Sequence, residues 1–193
     1  NKRDEIMQIE SKGENMIIED YEVNGLESAL RAIGFSYGKE LEDDEKRLKL
    51  AKVLVKRGLN SGESNFLTGV TVDLTVNASI KWWQQAERYH WFQIVMSQSV
   101  MHSVATGDWE FTPDTPKDVI SLFNENVERY KSKEISKVSL IYSVPVGLKE
   151  KARVTTNYLQ LLTMYHQRKN HALPEWKEFC HIVEEMPMMK EFL

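Results

Sequence analysis

The stretch GVTVDLTVN, residues 69–77, carries the clearest strand signal in this chain of 193 residues. Its apolar residues are Val70, Val72, Leu74 and Val76, and they alternate with Thr71, Asp73 and Thr75. Successive side chains of a β-strand point to opposite faces of its sheet, so this alternation predicts a half-buried strand. Residues 15–23, NMIIEDYEV, have the apolar content of another strand. The chain is therefore expected to contain a sheet with one buried face.

Stretches on both sides of this strand have the features of helices. Residues 25–39 predict a short helix that ends in a turn, and residues 43–58 predict a helix with acidic residues in its first turn. Further helices are predicted over residues 80–104, 116–131, 151–170 and 174–186. The start of the helix over 116–131 is indicated by Thr115 followed by Pro116, with Asp118 at the third helical position. Residues 138–144, VSLIYSV, are either a strand or a buried segment that ends at Pro145. Helices around a few strands predict an α+β fold with a small antiparallel sheet.

The composition is that of an ordinary globular protein, with 41% hydrophobic and 28% charged residues. A chain of this length can bury a full core without a disulfide or a metal. Because no repeat, low-complexity tract or long linker interrupts the sequence, we expect a single domain over residues 1–193.

Several classes of protein are disfavoured by the same totals. A net charge of −4 gives no general surface for polyanions, so bulk nucleic-acid binding is not expected. The single cysteine, Cys180, excludes an internal disulfide and is interpreted as a buried structural thiol, and no histidine pair has the spacing of a metal site. No apolar run approaches the ~20 residues of a membrane span, and the charged residues 1–10 do not resemble a signal peptide, so a cytoplasmic protein is expected.

Residues 84–103, QQAERYHWFQIVMSQSVMHS, form the densest polar and aromatic stretch. On a regular helix Gln85 and Arg88, three residues apart, share a face, and Arg88 shares it with Ser99 three turns later. Arginine can bind a phosphate or a pyrimidine carbonyl with two hydrogen bonds, and glutamine can recognise the edge of a base. The alternative is that these side chains are solvated or ion-paired surface groups.

The same helical spacing relates two further pairs. His90 and Ser97 are seven residues apart, and Asn157 and Arg168 are eleven residues apart in the predicted helix 151–170. Arg168 is either an anion-binding residue or a basic residue that stabilises the end of a helix through the helix dipole.

In their order these segments resemble the flavin-dependent thymidylate synthases, which methylate deoxyuridine monophosphate (dUMP) with FAD, NADPH and methylene-tetrahydrofolate. RAIGFSYGKE (31–40) resembles the early AAR-x-SYGK turn of the family, and residues 50–76 resemble its helix, loop and alternating strand. WWQQAERYH (82–90) lies where the family has Q-x-x-R-H-R, and TTNYLQLLTMYHQRKNHALPEW (155–176) resembles its last conserved helix.

The resemblance implies two groups of site residues and an assembly. The nucleotide would be bound by Gln85, Arg88, Ser97, Ser99 and Arg168, and Arg168 would also be the catalytic residue. The flavin would be bound by His90, Asn157 and His171. Because the family builds its sites between subunits, the resemblance also implies a homo-oligomer, a tetramer.

The chain departs from the family pattern at several charged positions. Tyr89 and His90 replace the histidine and the second arginine of R-H-R, Leu159 and Ile141 stand where arginines are expected, and Gly69 stands where a histidine is expected. Each lost charge-assisted bond costs roughly 1.5–3 kcal/mol. Three functions therefore stay open: an enzyme that transfers a one-carbon unit to C5 of uracil, an inactive relative that binds a nucleotide or flavin, and an oligomeric scaffold without a small-molecule site.

Overall fold

The computed structural model describes residues 11–41, 43–59, 61–105 and 108–193, and the predictions made on residues 1–10 lie outside these ranges. The described strands are β1 (Ser11–Lys12), β2 (Ile17–Asn24), β3 (Thr71–Ser79), β4 (Gln93–Ser97) and β5 (Lys149–Asn157). The described α-helices are α1 (Leu26–Ala32), α2 (Asp44–Lys56), α3 (Ile80–Ala86), α4 (Val100–Ser103), α5 (Lys117–Lys131), α6 (Lys137–Tyr142), α7 (Tyr158–Arg168), α8 (Pro174–Glu185) and α9 (Met189–Phe192). Two 3₁₀ segments, Ile33–Tyr37 and Gly62–Gly69, connect some of these elements.

The strands form one antiparallel sheet in the order β1-β2-β3-β5-β4. Its centre is β3, in which Leu74 lies opposite Tyr21 of β2 and Val154 of β5. The alternation predicted from the sequence is confirmed, because Val72, Leu74 and Val76 are fully buried. The predicted α+β fold with an antiparallel sheet is also confirmed.

Helices α7 and α8 contribute to the core that covers the apolar face of the sheet. Within this core Trp82 of α3 is fully buried, and its ring centroid lies 4.9 Å from that of Trp176 in α8. Phe179 packs against both indoles, at centroid distances of 5.5 and 5.7 Å. This aromatic contact fixes the start of α8 against α3, which is the junction where the candidate site forms.

The prediction of one helix over residues 80–104 is wrong. Helix α3 ends at Ala86, a turn follows, and β4 then pairs with β5 at the sheet edge. Every residue of β4 is exposed, so this segment has no buried helical face. Backbone pairing with a strand roughly sixty residues later outweighs the local preference of the sequence.

The prediction of one helix over residues 151–170 is wrong in its first part. That part belongs to β5, which pairs with β3 along its whole length, and α7 begins only at Tyr158. The alternation was present in the sequence, because buried Ala152, Val154 and Thr156 are separated by the less buried Arg153 and Thr155. Two β-branched threonines and a valine also favour a strand here.

Residues 138–144 form neither a strand nor a buried segment. They contribute to the short helix α6, whose N-cap Ser136 accepts a hydrogen bond from the backbone N–H of Ser139 at 3.1 Å. Leu140 is its buried residue, while Val138 and Tyr142 are exposed. A small polar cap followed by one apolar anchor is enough for a single helical turn.

The predicted helices over residues 43–58, 116–131 and 174–186 are confirmed as α2, α5 and α8, and the short helix within residues 25–39 is confirmed as α1. Helix α5 begins at Lys117 with Pro116 as its N-cap, and the hydroxyl of Thr115 lies 2.9 Å from that of Thr112. Cys180 is buried, and burial, followed by the charge of Glu184, raises the pKa of its thiol to about 12. This thiol is therefore protonated and unreactive near neutral pH.

None of the helices in the described ranges is long and apolar enough to cross a membrane. The same ranges contain no group of three or more histidine, cysteine, aspartate or glutamate residues placed to bind a metal ion. The expectation of a single domain over residues 1–193 stays a prediction.

Candidate functional site

Three of the predicted site residues meet around the indole of Trp176. Gln85 accepts a hydrogen bond from Trp176 Nε1 through its Oε1 atom at 2.8 Å. The Cζ atom of Arg168 lies 5.0 Å from the centroid of the Trp176 ring, and the ring of His171 lies 6.3 Å from it. Tyr89 completes the group at 6.2 Å. We call these five residues the Trp176 cluster.

The cluster forms where α3 ends, α7 ends and α8 begins. Pro174 occupies the first turn of α8, where its missing N–H costs no helical hydrogen bond. The next residue, Glu175, is 2% exposed and accepts a hydrogen bond from the backbone N–H of Ser79 at 3.0 Å. Because Ser79 is the N-cap of α3, this bond ties the starts of α3 and α8 together and holds Trp176 beside Gln85.

Arg168 is held by neutral groups. Its Nε–H donates to the hydroxyl of Tyr89 at 2.8 Å, and its Cζ lies 5.6 Å from the centroid of the Tyr89 ring as well as close to Trp176. Within the described residues no carboxylate pairs with this guanidinium, and its two terminal Nη groups donate no hydrogen bond. The positive charge of Arg168 is therefore not compensated by a carboxylate among these residues, and its terminal N–H groups form a free two-pronged donor, which is the arrangement that binds a phosphate or a planar carbonyl edge.

Tyr89 was not recognised as a site residue from the sequence, where it counted as the loss of a family histidine. Its side chain is 9% exposed, and its hydroxyl donates to Gln167 Oε1 at 3.0 Å while it accepts from Arg168. Trp176 was also missed, because a tryptophan in a helix is typical of a core. The available signal was that both lie within the segments that resemble the family's nucleotide-binding motifs.

The turn that carries Tyr89 lies along α7. The backbone N–H of Trp91 donates to Gln160 Oε1 in the first turn of α7 at 3.2 Å, whereas Tyr89 contacts Gln167 and Arg168 in its last turn. At 1.5 Å per residue these anchor points are about 11 Å apart. The turn is therefore fixed at both ends of the helix.

Asn157 lies at the other end of α7 from Arg168. It is the last residue of β5 and the N-cap of α7, and its Oδ1 accepts from the backbone N–H of Gln160 at 2.9 Å. The carbonyl of this amide is thereby used for capping, and the Nδ2 group donates no hydrogen bond within the described part of the chain. Asn157 and Arg168 are about 16 Å apart along the helix, so they mark two different parts of any site that contains both.

His171 is oriented by the start of α8. Its Nδ1 accepts from the backbone N–H of Leu173 at 3.1 Å, which assigns the ring proton to Nε2. Burial, and then the positive charge of Arg168, lower the pKa of His171 below the usual value for histidine. His171 therefore presents a neutral ring with one N–H donor beside Arg168.

Arg88 and His90 lie in the exposed turn after α3. Arg88 is close to Gln85, whose backbone carbonyl accepts from the Arg88 N–H at 3.4 Å, and its guanidinium has no partner within the described ranges. The ring of His90 packs edge-on against that of Trp91 at 4.7 Å, and Trp91 is 54% exposed. The turn thus presents a cation and an aromatic surface to its surroundings.

Ser97 and Ser99 are not brought to the Trp176 cluster, and their predicted helical alignment with Arg88 and His90 is wrong. Ser97 ends β4 opposite Ala152, which is five residues, or about 17 Å, along β5 from Asn157. Ser99 is the N-cap residue of α4. A role for these serines in binding a nucleotide stays a prediction.

No protein-family model and no curated protein matches this sequence. Solved structures do share its fold. One is flavin-dependent thymidylate synthase ThyX from Helicobacter pylori complexed with FAD and dUMP, with a TM-score of 0.69, 16% identity, and coverage of 92% of this chain and 97% of that chain. A second ThyX structure from Helicobacter pylori with FAD and dUMP gives a TM-score of 0.66 at 16% identity, covering 93% and 96%. This similarity confirms, at the level of the fold, the resemblance seen in the sequence.

The buried carboxyl of Glu175 gives a test of the α3–α8 junction. Burial raises its pKa above the ordinary 4.5, although the hydrogen bonds from Ser79 and the charge of Lys149 oppose this. A carboxyl with a raised folded-state pKa contributes its stability below the unfolded pKa and loses it as the pH rises through the folded pKa. We therefore expect the melting temperature of Glu175→Gln, relative to the parent, to increase between pH 4.5 and pH 7.

The matched control is Glu125→Gln, which removes an exposed carboxylate of α5. Thermal unfolding of all three proteins across this pH range gives the result. A difference between Glu175→Gln and the parent that is constant, or that decreases with rising pH, would contradict the effect assigned to burial.

Proposed function

We propose that this chain is a divergent flavin-dependent thymidylate synthase, which binds dUMP and FAD and transfers a one-carbon unit to C5 of uracil. The observation that carries the proposal is the state of Arg168, a cation without a carboxylate partner among the described residues, held over two aromatic rings. Such a group is suited to an anionic ligand. The shared fold supports dUMP as that ligand, because the similar ThyX structures contain it.

The nucleotide would lie between the two guanidinium groups of Arg88 and Arg168, with Gln85 beside its base. Because Oε1 of Gln85 is occupied by Trp176, its amide NH₂ is the group left for a ligand, and an NH₂ group donates to a carbonyl of uracil. A change of charge on a uracil carbonyl during chemistry at C5 would be stabilised by the guanidinium of Arg168 if the carbonyl were bound to it. Arg168 is the catalytic residue of this proposal for that reason. Ser97 and Ser99 would reach a nucleotide only across a subunit boundary.

The flavin side would be formed by Asn157, His171 and His90. The free Nδ2 of Asn157 and the Nε2–H of His171 can each donate to a carbonyl of a flavin ring. Because the two residues lie at opposite ends of α7 within one chain, the donors to a single ring would come from two subunits. When bound, FAD would supply the redox chemistry, with NADPH as the reductant and methylene-tetrahydrofolate as the one-carbon donor. The chain's own residues would hold the ring and the nucleotide in contact.

One observation favours a second candidate, a nucleotide-binding relative without flavin chemistry. The three flavin-side residues include no lysine or arginine, and Leu159, in α7, stands where the family has an arginine. The two phosphates of FAD would therefore lack a cation from this set. The nucleotide side has two cations, Arg88 and Arg168.

We also propose that the chain assembles as a homo-oligomer, a tetramer as in the family it resembles. β4 has a free edge, since β5 is its neighbour in the described sheet. This edge carries exposed apolar side chains, with Val95 60% and Met96 74% exposed. An exposed apolar edge of this kind is a template for pairing with another chain.

The nucleotide proposal predicts the effect of removing either guanidinium. Arg168→Ala and Arg88→Ala should each weaken dUMP binding about tenfold or more, because each removes a charge-assisted hydrogen bond. Isothermal titration calorimetry measures this directly. The matched control is Lys81→Ala, an exposed cation on α3 outside the Trp176 cluster, which should bind as the parent does. Similar losses in all three variants would show non-specific electrostatics and would contradict the assignment.

The flavin proposal predicts colour. Protein purified with excess FAD should retain an absorbance band near ~450 nm and lose it on removal of the cofactor. Folded protein that stays colourless but is stabilised by dUMP against heat would support the nucleotide-binding relative instead. Folded protein that neither retains FAD nor is stabilised by dUMP would favour the third function, an oligomeric scaffold without a small-molecule site.

The assembly proposal predicts that the chain elutes as an oligomer in size-exclusion chromatography with light scattering. Met96→Lys should reduce the oligomer, because it places a charge in the proposed interface. Tyr142→Lys is the control, since Tyr142 is 85% exposed and belongs to α6, not to β4. A monomeric parent protein, or equal effects of both substitutions, would rule out β4 as the interface.

A further inference from the structure

We propose that Tyr89 is a positioning residue, which fixes the guanidinium of Arg168 so that its two terminal Nη groups face the nucleotide. This inference rests on the proposed nucleotide site at Arg168. It assigns a role to a residue whose identity departs from the family motif that the sequence resembles. It also specifies how one arginine keeps an orientation without a charged partner.

The contact is directional. Arg168 has five N–H donors, and the one on Nε is used by the Tyr89 hydroxyl at 2.8 Å. With Nε occupied, the four N–H groups left for a ligand are all on the two Nη atoms. A ligand is therefore met by the outer, two-pronged end of the guanidinium.

The hydroxyl of Tyr89 is itself oriented by Gln167. It donates its proton to Gln167 Oε1 at 3.0 Å, which leaves its lone pairs for Arg168 Nε–H. The phenol is 9% exposed and packs edge-on to Trp176, so its ring has little freedom to move. Gln167 thus orients the hydroxyl of Tyr89, and that hydroxyl orients the guanidinium of Arg168.

Other arginines in the molecule show the usual alternative. Arg153 on β5 donates to Asp20 at 2.5 Å and lies 3.8 Å from Glu22, and Arg57 pairs with Glu63 at 2.6 Å. A carboxylate would orient Arg168 equally well, but it would neutralise the cation and compete with an anionic ligand. A phenol oxygen accepts the same hydrogen bond without adding negative charge. The two aromatic rings add a cation–π attraction that also leaves the charge in place.

The test is Tyr89→Phe, which keeps the ring and removes the hydroxyl. We expect the dissociation constant for dUMP, measured by isothermal titration calorimetry, to rise about fivefold or more, because the bond lost is one to a charged group. The matched control is Tyr165→Phe, on α7, the helix that also carries Arg168. It removes a hydroxyl that donates to Glu184 at 2.5 Å and does not touch Arg168, so dUMP binding should not change.

A double-mutant cycle separates positioning from a general structural effect. In an Arg168→Lys background there is no Nε–H to hold, so adding Tyr89→Phe should change dUMP binding by less than about twofold. Equal effects of Tyr89→Phe in both backgrounds would show that Tyr89 acts independently of Arg168, and the inference would be wrong. A Tyr89→Phe protein that binds dUMP like the parent would overturn it directly.

If Tyr89→Phe does not fold, Gln167→Leu, at an exposed position, replaces it and should weaken dUMP binding about twofold; unchanged binding would then contradict the inference. If Arg168→Ala binds dUMP like the parent, the proposed nucleotide site itself fails. Weak binding by Arg168→Ala with normal binding by Tyr89→Phe would remove only the role of Tyr89.

Discussion

The indole of Trp176 is the element on which the candidate site depends. It is fully buried, its ring packs against Trp82 in the core, and its Nε1 bonds to Gln85. The face of the same ring lies beside the guanidinium of Arg168. One side chain therefore connects the hydrophobic core to two polar groups, so that the positions of these groups follow from packing. A buried indole has few alternative rotamers in a close-packed core, and this is what makes the arrangement rigid.

The site is electrostatically unbalanced in a way that suggests a ligand. On the polar face of the sheet, the positive charge of Arg153 is compensated by the carboxylate of Asp20. Arg168 has no such carboxylate among the described residues. The rings of Tyr89 and Trp176 lie beside it, and the neighbouring His171 has a lowered pKa and stays neutral. A bound phosphate or a polarised carbonyl would compensate the positive charge of Arg168. Departures from local optimisation of this kind are expected at functional sites.

Helix α7 sets the dimensions of the proposed site. Its N-cap, Asn157, and its last residue, Arg168, lie about 16 Å apart, and we propose that they serve the flavin and nucleotide sides respectively. The turn with Tyr89 and Trp91 runs along the same helix and is anchored at both ends. Ser97, at the far end of β4, is separated from this region within one chain. A site that used all the predicted residues would therefore require a second copy, which agrees with the exposed apolar edge of β4.

The amino-acid pattern alone determined the elements whose signals are local. The alternation of residues 70–76 predicted β3, capping and apolar spacing predicted α2, α5 and α8, and side-chain chemistry singled out Gln85 and Arg168. Tertiary structure decided the break between α3 and β4 and the strand character of residues 149–157, because each depends on hydrogen bonds to strands far away in the chain. It also decided that Tyr89 and Trp176 belong to the site. Their roles arise from contacts between α3, α7 and α8, and no local spacing encodes which side chains meet when three helix ends converge.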